Sequence, residues 1–486
     1  MADLAALELR HGARYRWFLL AAVMLGTMAS VMSSTIINVA IPEMSQQFNL
    51  GQERAQWVGS GFMLAMTVSM LTTPWLLERF GYRRTYTLTL WLLLLGGLAG
   101  GASNEFHAVL AARVAQGLAA GVMQPIPAII ILHFFAAREQ GRATGLFGMG
   151  VVLASAMGPT VGGVLVHAFG WRSVFFMVLP FCLAALWMAR RFVPVRPSGS
   201  GSGASASRLD WRGLLLGSVG VVCLLNALVQ WRSGSAFAGT LLLASAALTL
   251  TGFVGWQRQL GRSSTHADVE PLVRLKLFHN RRFALGCVVA FLYGVALFGS
   301  TYLLPVYMQL ALGLSPSYVG SILLPAGLVL AVTIALVGRL ADRQPTYLLV
   351  SIGLALLALS FALMLTVHLG TAIGVLVAWA ILGRLGLGFI LPSLNLGALR
   401  KLHKHQISQG SSAINFVRML GGSIGVSLCG IVLEWRLAAH GDALTHAASS
   451  PQRLAAFNEV FLMLATLCAL ALIAAWRLRD APSARA

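Results

Sequence analysis

The chain has 486 residues, 57% of them hydrophobic and only 10% charged, and its 35 Lys and Arg against 15 Asp and Glu give a net charge of +20. Soluble domains carry about 25% charged residues, so this composition excludes a water-facing globule and leaves lipid as the main solvent. It also excludes a nucleic-acid binder, because the basic residues sit in short clusters between apolar runs instead of gathering on one phosphate-tracking surface.

A membrane-spanning helix needs roughly 20 predominantly apolar residues. Residues 1–16 read as a polar, basic tail. The apolar run after them is too long for a signal-peptide core and lacks a small-residue cleavage site before Pro42, so it is the first expected span. Six spans are predicted at 17–41, 55–77, 85–103, 107–133, 142–167 and 173–193, an N-terminal bundle over 17–193. A linker, 194–210, follows, flexible by its GSGSGASAS composition between Pro197 and Ser207. An extra pair of spans, 211–230 and 236–257, occupies 211–257. The basic segment 258–282 ends in DVEPLVRLKLFHNRR, too polar to span and suited to a helix lying on the membrane interface or to a plain loop. Spans at 283–311, 317–340, 346–368, 371–398, 407–434 and 455–477 make a C-terminal bundle over 283–477, and 478–486 is a closing tail.

Charge fixes the expected orientation. With the N-terminus in the cytoplasm, that face collects the arginines from Arg10 to Arg16, Arg79 to Arg84, Arg138 to Arg142, Arg190 to Arg212 and Arg258 to Arg282, then Arg339, Arg343, Arg400, Lys401 and Lys404. The opposite face keeps Arg54, Arg172, Arg232, Arg436 and Arg453. This is the positive-inside bias of an even number of spans with both ends inside, so the expected fold is an all-α polytopic membrane protein of 14 transmembrane helices. Lysine occurs only at 276, 401 and 404, which points to a GC-rich genome and a bacterial inner (cytoplasmic) membrane. Cys182, Cys223, Cys287, Cys429 and Cys468 are scattered through apolar runs as small fillers, with no metal-ligand spacing.

Two loops repeat a pattern. After the second span the chain reads PWLLERFGYRR, placing Glu78, Arg79, Gly81, Arg83 and Arg84, and after the tenth it reads GRLADR, placing Gly338, Asp342 and Arg343. Both resemble the G-x-L-a-D-R-x-G-R-R signature of the major facilitator superfamily, with Pro74 in place of the first Gly and Glu78 in place of the Asp. Copies in corresponding positions of two six-helix halves are what an internal repeat predicts. The fifth span carries Gly145, Ala154, Gly158, Pro159, Gly162 and Gly163, where GPxxGG resembles the antiporter motif of exporters in that superfamily. Gly150, Ala154, Gly158 and Gly162 recur every four residues as one small-residue stripe that admits a neighbouring backbone, and Pro159 permits a bend. The strings STIINVAIP, QWVGSGF, RVAQG, GWRSVFFMVLP, LPVYMQLALGLSP and NFVRMLGGSIGVS run in order and resemble the fourteen-helix drug:proton antiporters of the EmrB/QacA type, over about residues 17–475.

The resemblance implies two facing bundles around a cavity near the midplane that rock to alternate access, export driven by inward proton flow, and a loop latch that stabilises an outward-facing state. No cofactor is expected beyond the proton gradient, since no G-x-x-x-x-G-K-[ST] string is present. Expected partners are the lipid bilayer, an amphipathic small molecule and protons, with no nucleic acid. Some members of that family work with a periplasmic adaptor, and the short segment 435–453 leaves one open.

Ionisable residues inside spans cost about 2.5–3.5 kcal/mol at a helix centre and point to function. Arg113, with Gln116, matches the R-x-x-Q-G string; Arg418, with Asn415, matches N-F-x-R-x-x-G-G; Arg384 matches no motif. The family resemblance implies an Asp in the first span, but Ser33 holds that place, followed by Ser34. Ser33, Ser34, Asn38, Gln56, Gln116, Gln124, Asn395 and Asn415 are the expected cavity polar groups, each with helix-to-helix hydrogen bonding as the alternative. Proton-carrier candidates are Glu459 and Glu434, then His133 and His167 at span ends. Arginines without a buried acid favour neutral or anionic substrates. The expected function is therefore proton-coupled export of drugs or amphipathic small molecules. The alternatives are a dedicated exporter of one fatty- or aromatic-acid-type metabolite and, from another class, a non-transporting sensor or scaffold. No nucleophile–base spacing supports an enzyme.

Overall fold

The structure, a computed structural model, describes residues 9–477 apart from 10, 51, 196–207, 233–235, 262–268, 369 and 443–449. The expected Gly/Ser linker, the tail beyond 477 and most of the N-terminal tail lie outside the described residues. So does part of the 435–453 segment.

Among the described residues, thirteen helical segments are long and apolar enough to cross a membrane. One of them, Trp57–Ala102, has 46 residues. A straight helix of that length would be roughly 69 Å long, more than twice the ~30 Å hydrocarbon core. It is two helices meeting at Gly81, whose backbone (φ 76°, ψ 173°) leaves helical geometry. Only glycine, lacking a Cβ, adopts that conformation without strain. Gly81 is buried, and protein groups take up the backbone at the reversal: the Arg83 N–H donates to the Pro194 carbonyl at 3.2 Å and the Thr85 hydroxyl to the Leu76 carbonyl at 2.8 Å.

In chain order the helices are α1 (Tyr15–Gln47), α2 (57–80), α3 (82–102), α4 (Phe106–Phe134), α5 (Gln140–Phe169), α6 (Ser173–Phe192), α7 (Trp211–Arg232), α8 (Ala236–Leu260), α9 (Arg281–Leu310), α10 (Pro316–Leu340), α11 (Thr346–Met364), α12 (Ile373–Leu399), α13 (Ile407–Ala439) and α14 (Pro451–Trp476). The first runs past its expected end at 41, because Pro42 is accommodated inside the helix. Proline does break α4, into Phe106–Met123 and Ile126–Phe134 around Gln124 and Pro125. The Ser411 hydroxyl of α13 donates to the Pro125 carbonyl at 3.1 Å, which ties the break to the second half.

The two halves repeat one packing scheme. In the first, α1 packs on α5 and α6, α2 on α4, and α3 on α4 and α6. In the second, α9 packs on α13 and α14, α10 on α12, and α11 on α12 and α14. The halves meet through α5 against α10 and α2 against α13, the same pair of positions exchanged. The extra helices α7 and α8 pair with each other, and α7 leans on α13 and α2.

The segment after α8 is not a helix lying on the interface. Val269–Glu270 pairs in parallel with Arg208–Leu209, and a short 3-10 turn spans Leu275–His279. Leu272 and Val273 are buried in one cluster with Leu71 and Phe253, so its apolar residues face protein instead of lipid.

Replacing Gly81 by Ala should lower stability by about 1–3 kcal/mol through backbone strain. The check is the thermal unfolding midpoint of the detergent-purified protein, with Arg84→Ala in the exposed turn as the control that stays unchanged.

Candidate functional site

The small-residue stripe of α5 divides by position. Gly158 lies against Thr35 and Gly162 against Ile36, both on α1, whereas Gly163 has open space around it. Gly150 meets Met24 of α1, and Ala154 is buried. Pro159 is exposed, so it takes no part in that contact. At the other end of α5, Gly141 and Gly145 face Gly338 of α10: a Cβ on Gly145 would come within 2.8 Å of the Gly338 Cα and of the Ile334 carbonyl oxygen. The two bundles thus touch backbone to backbone, an approach only glycine allows.

Asp342 secures the same place. Its carboxylate accepts the backbone N–H groups of Gly141 at 2.6 Å and Arg142 at 2.8 Å, in the first turn of α5. Those donors have no partner within the helix, and the positive end of the helix dipole favours the charge. Arg400, at the end of α12, reaches Asp342 at 3.5 Å. It also donates to the Gln140 side chain at 3.0 Å and the Ala137 carbonyl at 2.6 Å. Arg343 is exposed beside them. The second copy of the loop signature is therefore a latch from one half onto the other, with Arg400 as a member that sequence reading counted only as a topology charge.

The first copy is arranged differently. Arg83 donates to the Val193 carbonyl at 2.6 Å and grips the end of α6 within its own half. Arg79 and Arg84 are exposed. Glu78 faces another carboxyl, that of Glu270, within hydrogen-bonding reach. One Glu270 oxygen accepts from the Gln409 amide of α13 at 2.9 Å and lies 3.7 Å from Arg274, while the other is buried without a donor. Burial first, and then Glu78, pushes the Glu270 carboxyl up to about 8, against the opposing influence of Arg274 and Gln409. Two carboxyls this close hold one proton between them more readily than two negative charges. Glu270 lies in a segment whose placement depends on its pairing with residues 208–209, which no local pattern announced.

Inside the first half, Arg113 is fully buried. It donates to the Ser33 hydroxyl at 3.0 Å, the Ser33 carbonyl at 3.2 Å, the Gln116 side-chain oxygen at 2.8 Å and the Val58 carbonyl at 3.2 Å. Its guanidinium lies 4.3 Å from the Phe62 ring centroid. Its Nη2 and the Gln116 Nε2 are buried with no acceptor. In the second half, Arg418 donates to Asn415 at 2.6 Å, and Asn415 donates to the Ser411 carbonyl at 2.8 Å. Arg384 and Arg418 are both half-buried, and Tyr293 of α9 is buried.

The remaining predicted residues scatter. Ser34 donates to the Val31 carbonyl within its own helix at 2.7 Å, Gln124 sits at the break in α4, and Asn395 is half-buried. Asn38 and Gln56 are exposed, Gln56 at the start of α2. Glu459 is held by Arg436 and His440, an ion-pair cluster joining α13 to α14. Glu434 is half-buried near the end of α13. His133 bonds the Ile129 carbonyl at 2.8 Å, and His167 lies in the last turn of α5.

The sequence profile described as Major Facilitator Superfamily matches residues 23–426. An uncharacterised MFS-type transporter of Mycobacterium tuberculosis is 30% identical over 89% of this chain and 73% of its own length. The multidrug export protein EmrB of Haemophilus influenzae is 28% identical over 87% and 82%. Among solved structures, that of the human organic anion transporter MFSD10 aligns with a TM-score of 0.67 at 15% identity, over 95% of this chain and 99% of that one, a likeness of fold.

The Glu78–Glu270 contact has a pH signature. Between the ordinary carboxyl value of 4.5 and the raised value of about 8, the native protein keeps a proton that the unfolded chain has lost. The stability this proton supports is complete below that window and is lost as pH rises through its upper end. Unfolding midpoints measured from about pH 5 to about pH 9 should therefore decline less steeply for Glu270→Gln than for the parent. Equal slopes would remove the shared proton.

Proposed function

The chain belongs to the major facilitator superfamily, and from that membership we propose that it exports neutral or acidic amphipathic molecules across a bacterial inner membrane by proton antiport with alternating access. The observation that carries this reading is Arg113, a buried guanidinium that meets a serine where a carboxylate is expected, with an unpaired Nη2 beside an unpaired Gln116 Nε2. Buried donors without acceptors are costly, and a carboxylate or carbonyl on a substrate would relieve them. A cationic substrate would find three intramembrane arginines and no facing acid among the described residues of the two bundles' interiors.

Counting α2 and α3 as separate crossings gives fourteen, and the arginine-rich turns then fall on the cytoplasmic side with both termini. On that reading the Gly338–Asp342 latch closes the cytoplasmic entrance. The Glu78–Glu270 pair is the better-placed proton site than Glu459, because Glu459 is committed to Arg436 and His440. Parting α2 from α13 would separate Glu78 from Glu270 and release the shared proton, which couples opening to protonation. A dedicated exporter of one acidic metabolite fits the same residues, and a substrate competition panel separates it from a broad one. Failure of the purified protein to move any solute in liposomes would favour a sensor or scaffold.

The test is uptake into inverted vesicles of an amphipathic carboxylic acid, its methyl ester and a quaternary ammonium analogue of similar size. The acid and ester should be preferred, and Arg113→Ala should reduce acid transport by about 10- to 100-fold, the loss of one charge-assisted hydrogen bond. Transport of the cation abolished by Ser33→Ala but indifferent to Arg113→Ala would sink the proposal.

A further inference from the structure

Away from the Arg113 site, a cavity of about 750 Å³ opens where α2, α7 and α8 end together. Its wall includes Trp75 and Arg79 from the end of α2, Arg208, then Trp211 and Arg212 at the start of α7, and Trp256 near the end of α8. The three guanidinium side chains are exposed. That of Arg212 lies 5.2 Å from the Trp256 ring centroid. One carboxylate, Asp210, shares the wall, but it is engaged: it accepts from the Gly213 backbone N–H at 2.8 Å, the Trp256 indole at 2.8 Å and the Gln257 amide at 2.6 Å. Its charge is therefore bound into the start of α7 instead of pairing with the neighbouring arginines.

The position of the cavity decides what it can hold. Three apolar helices reach their polar ends here, so the cavity lies at the border between hydrocarbon and water. Tryptophan prefers that border, and an arginine fork matches a phosphate there by paired hydrogen bonds. A freely soluble phosphate compound would use the arginines but not the apolar faces of the indoles. A lipid uses both, its phosphodiester on the guanidinium groups and its glycerol and upper acyl carbons on the rings. Basic pockets between helix ends bind anionic headgroups by this chemistry.

We propose that this cavity binds the headgroup of an anionic phospholipid. The lipid bridges α2 to the extra pair α7–α8. The assignment stands on the cavity alone and does not depend on the substrate or the coupling ion.

Native mass spectrometry of the delipidated full chain, titrated separately with phosphatidylglycerol, phosphatidylcholine and inorganic phosphate, tests it. Phosphatidylglycerol should bind saturably and more tightly than phosphatidylcholine. Removing each arginine should weaken it about fivefold, and Arg79→Gln, Arg208→Gln and Arg212→Gln together about a hundredfold. Arg190→Gln with Arg191→Gln, at the end of α6 and outside the cavity, should leave binding unchanged. If the triple variant does not remain monodisperse, Arg208→Gln alone carries the comparison. Equal binding of the two lipids overturns the proposal, as does undiminished phosphatidylglycerol binding by the arginine variants. Displacement of the lipid by an equal concentration of inorganic phosphate also overturns it, since the site would then serve a soluble phosphate.

Discussion

The two bundles of this protein meet most closely at a point where neither has a side chain to place between them. Gly141 and Gly145 on α5 face Gly338 on α10, and Asp342 follows one turn later to accept the free N–H groups at the start of α5. The contact and the hydrogen bonds support each other. The glycines bring α10 near enough for the carboxylate to reach the helix terminus, and the carboxylate, with Arg400 beside it, gives the glycine contact a preferred register. In a membrane there is little hydrophobic force between helices, so close packing and hydrogen bonds of this kind decide which arrangement is stable.

The repeat that builds both halves does not give them identical joints. Where the second half offers Asp342 to a helix terminus, the first offers Glu78 to another carboxyl, and Glu270 stands between it and α13 through Gln409. One joint is a charge satisfied by donors; the other is a pair whose repulsion depends on a proton. Burial raises the Asp342 carboxyl against the opposing Arg142 and Gly141 N–H groups and Arg400, whereas at Glu270 the neighbouring Glu78 adds to the rise. Arg113 completes the picture in the first bundle, where backbone carbonyls, Ser33 and Gln116 share the charge that an acid would otherwise neutralise.

Most of the fold was legible because lipid imposes a length and a composition on every crossing. The expected limits of α5, α6 and α10 fall within a few residues of those found. What escaped reading depends on contacts distant in the chain. Pro42 marked an expected end for α1, yet neighbouring packing carries the helix through to Gln47. The 268–282 segment has the composition of an interfacial helix, but its leucine and valine found a crevice between α2 and α8. The loop signatures identified Asp342 and Glu78 as latch acids without revealing that one meets backbone donors and the other a second acid. Arg113, Ser33 and Gln116 were legible as one set of polar residues; the Ser33 and Val58 carbonyls that also accept from Arg113 were not, because backbone acceptors leave no trace in residue type.

On the alternating access proposed above, the α5–α10 joint opens and closes while the folds of the two halves persist. Spin labels at Arg138→Cys and Arg343→Cys, exposed residues flanking the joint on opposite halves, report it by double electron–electron resonance in nanodiscs after removal of the five native cysteines. The parent should show a short, narrow distance at neutral pH, and Asp342→Asn should add a longer population as its charge on the α5 terminus is lost. A single unchanged distance in the variant, with transport still active, would contradict the account.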